Sequence, residues 1–326
     1  MRESGRLAIR IVIVALLAVA AISGGEPAQA RDQKIKAVAT TGMIADTVRS
    51  VAGERAEVVA LMGPGVDPHL YRQTRSDVIT LARADIVFYN GLYLEAQLEK
   101  LLLELARTKP VVAVAERVPL EKRLAHDLYK NKFDPHVWMD PALWAIVVET
   151  IRDELTARDP AGRADYADNA ARLLAELARL ADYAKTVLAS VPETQRVLIT
   201  AHDAFRYFGR AYGYQVLGIQ GISTESEAGL KEIEALVGQI VERRIGAIFV
   251  ETSVSDRNVK ALIEGAAARG RAVRIGGELF SDSMGNEGTY EGTYIGMIDH
   301  NATVIARALG GVAPVKGLNG KLGAGT

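Results

Sequence analysis

The runs Ile35-Lys36-Ala37-Val38-Ala39-Thr40, Glu57-Val58-Val59-Ala60-Leu61 and Ile86-Val87-Phe88-Tyr89, with Met43–Ala52 and Ser76–Ala84 between them, decide the fold. The three runs read as strands and the two intervening stretches as helices. A strand-helix-strand-helix-strand order favours a parallel sheet with helices packed on its faces, so the fold class is α/β. A further helix over Leu94–Arg107 leads through Lys109-Pro110 into a short strand, Val111–Val114. His69 follows the second strand and His136 follows the last, where open α/β sheets place their ligands.

Beyond Pro141 the texture changes. Ala142–Ala157 is expected to be helical, and Pro160 opens a long amphipathic segment to about Ala189, with Leu173, Leu174, Leu177, Leu180 and Val187 near one face. Such a helix is about 45 Å long, enough to run along two domains, and it reads as a link rather than a coiled-coil arm. Alternation then resumes, with strands at Val197–Thr200 (ending at His202), Val216–Ile219, Ala247–Val250 and Ala272–Ile275. Helices are expected near Leu230–Arg243, Arg257–Arg269 and Tyr294–Leu309, followed by a Gly-rich tail that should fray. The expected organisation is an N-terminal α/β lobe over 31–158, a linking helix over 159–191 and a C-terminal α/β lobe over 192–326.

Residues 1–30 have the form of a secretory signal peptide. Arg2, Arg6 and Arg10 precede an apolar stretch, Ile11–Ile22, too short to span a bilayer comfortably, and Ala28-Gln29-Ala30 offers a cleavage site before Arg31. The chain contains no cysteine. It therefore has neither a disulfide framework nor a lipid-modified cysteine, and the expected address is a soluble protein of the periplasm. Without the leader's three Arg and two Glu, 36 basic and 38 acidic side chains remain, a net charge of about −2. That balance gives no reason to expect nucleic acid or an anionic membrane as a partner.

Three of the five histidines lie in motifs that present an imidazole: Asp67-Pro68-His69, Asp134-Pro135-His136 and Ala201-His202-Asp203. Asp282, in Phe280-Ser281-Asp282-Ser283-Met284-Gly285, follows the last strand and completes a candidate set of three nitrogens and one carboxylate. Such a set suits a borderline divalent ion such as zinc and also accepts manganese or iron, whereas calcium and magnesium favour all-oxygen shells. Proline before His69 and His136 holds the preceding Asp extended and stiffens both loops.

The neighbours admit two readings each. Asp67, Asp134, Asp140 and Asp203 are either carboxylates that orient imidazoles or turn and cap residues. Ser281-Asp282 also reads as a helix cap, and Glu251, at the end of its strand, is a weaker candidate ligand than Asp282. His126 and His300 are expected at the surface or in packing, and Trp138 in packing beside His136.

These motifs, with Gly63-Pro64-Gly65-Val66 before Asp67 and Val137-Trp138-Met139-Asp140-Pro141 after His136, resemble the TroA-like zinc/manganese solute-binding proteins of ABC transporters, a family of periplasmic metal-binding lipoproteins and adhesins. The resemblance covers nearly all of the chain after the leader and keeps the four motifs in family order, with the long helix between the second and third. It implies two α/β lobes joined by a rigid helix. It also implies a metal site in the cleft between them, held by His69, His136, His202 and Asp282, and delivery to a membrane permease driven by a cytoplasmic ATPase. The cargo implied is Zn2+ or Mn2+, with iron also open, and no organic cofactor; the protein is expected to be a monomer. The resemblance associates a carboxylate in place of the third histidine with manganese and iron specialists, and His-rich loops with zinc specialists; this chain has neither. The competing classes are an exported metallohydrolase and a metal-stabilised adhesin. Four protein ligands leave no position for a catalytic water, and no His-Glu-x-x-His helix is present, so no enzymatic activity is expected.

Overall fold

The computed structural model describes residues 34–126 and 129–323. The expected leader lies outside the described residues. Strands β1 (Ile35–Ala39), β2 (Ala56–Ala60), β3 (Ile86–Tyr89) and β4 (Val111–Ala113) form one parallel sheet in the order β2-β1-β3-β4. β1, with partners on both edges, is buried at four of its five positions, while edge strand β2 alternates between half-buried and exposed. Helices α1 (Gly42–Ala52), α2 (Arg75–Arg83) and α3 (Glu99–Leu105) make the connections. α2 begins at a capping box in which Asp77 N–H donates to Thr74 Oγ1 (3.3 Å) and Thr74 N–H donates to Asp77 Oδ2 (2.6 Å).

α3 is shorter than its apolar pattern implies. The Glu95 carboxylate accepts the N–H groups of Asn90 (2.7 Å) and Gly91 (3.1 Å), which folds 90–98 into turns with Leu92 and Tyr93 at positive φ (53° and 73°).

α4 (Pro141–Arg158) starts on Pro141, with Asp140 Oδ1 accepting Ala142 N–H at 2.9 Å. A single turn over Pro160–Gly162 then leads into α5 (Arg163–Ala189), 27 residues and about 40 Å long. Its buried stripe, Tyr166, Ala170, Leu173, Leu177, Leu180, Ala184 and Val187, steps by three and four residues, as helical geometry requires of one face.

The second half holds two parallel pairs, β5 (Val197–His202) with β6 (Gln215–Gln220) and β7 (Ala247–Glu251) with β8 (Arg274–Leu279), and β5 packs beside β7. The connections are α6 (Arg206–Tyr212), α7 (Leu230–Glu242) and α8 (Arg257–Ala268), and α9 (Tyr294–Ala308) follows. β8 runs four residues beyond the expected Ile275. Gly276 and Gly277 read as a strand end, yet they are the residues that let the strand continue: a Cβ on Gly276 would lie 2.8 Å from the Phe249 ring, and one on Gly277 would collide with Val304. α6 has no counterpart in the sequence reading, because seven residues are too few for a helical repeat to register.

The C-terminal tail corrects an expectation, since as far as residue 323 it is fastened rather than frayed. Leu322 is buried, Leu318 N–H donates to both Asp299 oxygens (2.9 Å each) and Gly323 N–H donates to Glu291 Oε1 (3.1 Å).

α5 packs on α1 and α4 from the first half and on α9 and α6 from the second. One apolar core therefore runs through both lobes, from Ile44, Val48 and Trp144 through Leu177 and Leu180 to Phe208, Tyr294 and Ile298. Two smaller cores lie elsewhere, around Ile199, Ile240 and Leu262 and around Val87, Leu81 and Leu102.

Candidate metal centre

The four predicted site residues arrive from four separate segments. His69 lies on the β2–α2 loop, His136 at the head of the turn Val137–Met139 before α4, His202 at the last position of β5, and Asp282 just beyond β8. All four are buried, and each offers an atom lying within 4.8 Å of the other three. Among the described residues no other group of three or more His, Asp or Glu converges in this way.

The separations carry chemical information. Asp282 Oδ2 is 3.4 Å from His69 Nε2 and 3.1 Å from His202 Nε2, Asp282 Oδ1 is 3.4 Å from His136 Nε2, and the Nε2 atoms of His69 and His136 are 3.3 Å apart. Four donors at zinc bond lengths of about 2.0–2.1 Å on a tetrahedron stand about 3.3 Å from one another. These four separations match the edges of such a tetrahedron. The cluster's polar atoms also lack alternative partners: both Asp282 oxygens and His202 Nε2 are buried without a well-formed hydrogen bond. Leaving such groups unsatisfied is costly, and an ion at the centre would satisfy them together.

Each lobe aims one imidazole, His136 or His202, through the nitrogen that faces away from the centre. His136 Nδ1 is 2.7 Å from Asp134 Oδ1, which also accepts the His136 backbone N–H at 3.0 Å. His202 Nδ1 is 2.5 Å from Glu251 Oε2, and Glu251 Oε1 accepts the His202 N–H at 2.9 Å. A proton held on Nδ1 by a carboxylate leaves the Nε2 lone pair for a metal. Asp134 and Glu251 thus each hold one imidazole by its Nδ1 and by its own backbone N–H. Asp67 holds its loop instead, accepting the His69 N–H at 2.8 Å and the Thr224 hydroxyl at 2.5 Å from the opposite lobe. Asp140 caps α4, and Asp203 lies 3.8 Å from the Arg206 guanidinium. Asp282 caps no helix, since α9 begins at Tyr294 and its cap is Thr293.

The remaining histidines stay outside the cluster. His126 Nδ1 accepts Tyr129 N–H at 3.3 Å, and His300 Nε2 donates to the Glu278 carbonyl at 2.9 Å while its ring packs on Phe280.

Electrostatics follow from this packing. Burial opposes a charge on His136, but the Asp134 and Asp282 carboxylates outweigh it and push the imidazole up to about 9. Burial likewise opposes charge on His202, and Glu251 and Asp282 hold it well above the ordinary imidazole value. Burial would raise Asp282, yet His202 and His136 carry it well below the carboxylate range. The cluster without an ion is thus a buried network of imidazolium and carboxylate.

Comparison with known proteins agrees with this geometry. Residues 37–308 match the ZnuA family, described as the periplasmic zinc-uptake complex component A. The chain is 41% identical over 309 residues to the manganese-binding lipoprotein MntA of Bacillus subtilis (strain 168), covering 95% of this chain and 100% of that protein. It is 44% identical over 285 residues to the zinc-binding protein TroA of Treponema pallidum (strain Nichols), covering 87% and 92%. The solved structure of the periplasmic zinc-binding protein TroA from Treponema pallidum superposes with a TM-score of 0.83 at 44% identity, covering 85% of this chain and 99% of that one.

Proposed function

The chain belongs to the ZnuA family of periplasmic zinc-uptake components, and from that premise we propose that it captures a divalent transition ion between its lobes and delivers it to an ABC-type membrane permease. His69, His136, His202 and Asp282 are the ligands in this reading, and Asp134 and Glu251 orient two of the imidazoles. The observation that carries it is the set of 3.1–3.4 Å separations among buried donor atoms, of which both Asp282 oxygens and His202 Nε2 have no hydrogen-bond partner. The cargo is zinc or manganese, with iron as a further candidate. Three imidazoles and one carboxylate oxygen suit tetrahedral zinc, while the second Asp282 oxygen, which also faces the cluster, gives a larger ion a fifth donor.

The protein acts outside the cytoplasmic membrane. Residues 1–30 serve as a cleaved leader, and the chain has no cysteine to carry a lipid, unlike the lipoprotein MntA. No helix among the described residues is long and apolar enough to cross a membrane. Capture rather than hydrolysis is favoured because four protein donors close a tetrahedral zinc against water.

The test is to strip the purified protein with a chelator and titrate it with zinc and with manganese. Elemental analysis of protein taken from its native compartment identifies the physiological ion. One ion should bind per chain and be removable, and an ion at about 1,000 times its dissociation constant should add about 4 kcal/mol of stability. Binding of neither ion would sink the proposal; binding that cannot be reversed without unfolding would assign the metal a structural role instead.

A further inference from the structure

We propose that Trp138 is a positioning residue that couples the loop carrying His136 to the loop carrying Asp282, so that a ligand from each lobe is held by the same side chain. The proposal rests on the metal-capture reading and adds a determinant of how long the ion is retained. Trp138 lies two residues after His136, its ring meets the His136 imidazole edge-on at 5.1 Å, and it is fully buried. Its indole Nε1–H donates to the carbonyl of Ser281, the residue before Asp282, at 2.8 Å. Its own carbonyl accepts the Tyr294 hydroxyl of α9 at 2.7 Å. Trp138 is therefore bound at both ends to the C-terminal lobe although it belongs to the N-terminal one.

The Asp282 loop needs such a hold. Asn301 on α9 fixes Phe280 by accepting its N–H (3.0 Å) and donating to its carbonyl (2.7 Å). The Ser283 hydroxyl accepts Gly65 N–H at 3.0 Å. Between these anchors the Ser281 hydroxyl meets that of Ser253 at 3.0 Å, and the Ser281 carbonyl, which sets the rotation of the peptide leading into Asp282, accepts the indole N–H. Packing alone would be served by any aromatic ring; the directed N–H to a carbonyl one residue from a ligand is what a positioning role requires. An ion leaving the site must part Asp282 from His136, and that motion pulls against the indole bond. The geometry thus assigns Trp138 an influence on release more than on encounter.

The experiment compares wild type, Trp138→Phe and Trp144→Phe. Trp144 is an equally buried indole, bonded to the Thr47 hydroxyl at 3.0 Å and stacked on Tyr294, and it touches no proposed ligand. Zinc uptake by wild type is measured first, followed by stopped-flow release of zinc into excess chelator and the visible spectrum of the cobalt-substituted proteins. Trp138→Phe should release zinc about 10–100 times faster, the range for groups that orient metal ligands, with an altered cobalt d–d band. Trp144→Phe should lose stability but release zinc at the wild-type rate. Equal release from wild type and a folded Trp138→Phe, or equal acceleration by both indole variants, overturns the proposal. If Trp138→Phe does not fold, Tyr294→Phe removes the bond to the Trp138 carbonyl; faster release supports the coupling, and unchanged release overturns it. Failure of wild-type uptake would sink the carrier reading and this inference together, whereas normal uptake with unchanged release sinks only the inference.

Discussion

Metal capture should expel about two protons per ion at neutral pH, because the metal-free cluster holds His136 and His202 protonated. With the His136 imidazole pushed up to about 9 and His202 well above its ordinary value, both carry a proton at pH 7, and both must lose it to ligate through Nε2. A divalent cation then replaces two protons, and the buried charge is unchanged. Where both imidazoles are protonated, two linked protons make apparent affinity rise about 100-fold per pH unit, or about 2.7 kcal/mol per unit. Three ordinary imidazoles of pKa about 6.5 would together release only about 0.7 of a proton at pH 7. Calorimetric zinc titration at pH 7 in buffers of different ionisation heat counts the protons, and chelator competition at pH 6, 7 and 8 gives the slope. A count below about one, or an affinity flat between pH 7 and 8, would refute the reasoning. The sign for the metal-free protein is opposite. A folded-state pKa raised above the unfolded value stabilises most below about 6.5, and that stability is lost as pH rises through 9. The apo melting temperature should therefore fall over pH 6.5–9 while the shift produced by zinc grows.

Three further outcomes test particular residues. Asp282→Asn removes the carboxylate facing all three imidazoles, so zinc affinity should fall at least 100-fold and the apo protein should lose about 3–5 kcal/mol near pH 7, where two imidazolium ions lose their shared partner; chelator competition and urea unfolding measure the two effects. Glu251→Gln keeps the shape beside His202 but weakens its hold on Nδ1, and zinc affinity measured by the same competition should drop about 10–100-fold with little change in fold. Leu322→Ala should cost about 2–5 kcal/mol in chemical denaturation while leaving zinc affinity unchanged, because the buried tail anchor lies away from the cluster; no loss of stability would mean that the tail contributes nothing to the fold.

The sequence disclosed those parts of the molecule whose signals are local. β3 and the register of α5 follow from short apolar runs and an i, i+3/i+4 stripe, and the four site residues follow from motifs that each end a strand or stiffen a loop with proline. What stayed hidden depends on which strands become neighbours. Glu251 serves His202 because β7 packs beside β5 with both carboxyl ends level, an adjacency that no spacing along the chain encodes. Asp134 was visible as a candidate but not separable from a turn residue, and the structure gives its Oδ1 both the backbone and the imidazole of His136. The tail's glycines concealed Leu318 and Leu322, whose packing depends on a buried Asp299 supplied by α9.

The proposed placement of four ligands on two lobes raises the question of how an ion would get in and out, and the core limits the answer. Apolar packing is continuous across α5 from Trp144 to Tyr294, whose rings stack 5.1 Å apart at 8° between planes. Exposing one such large side chain costs roughly 1.5–3 kcal/mol, so swinging the lobes apart as rigid bodies would soon exceed the 5–15 kcal/mol that holds a typical domain folded. The mouth of the cluster is closed differently, by Thr224 to Asp67, Gln97 to Glu225 (2.9 Å) and Gly65 to Ser283. Each of these polar links exchanges for hydrogen bonds to water at a net cost of about 0.5–1.5 kcal/mol. Access by parting the loops that carry His69 and Asp282 is therefore far less costly than access by hinging about α5. A chain built this way should exchange its ion while the long helix and the core around it stay in place, and amide hydrogen exchange that quickened in α5 as readily as in residues 63–70 and 280–285 on metal removal would contradict it.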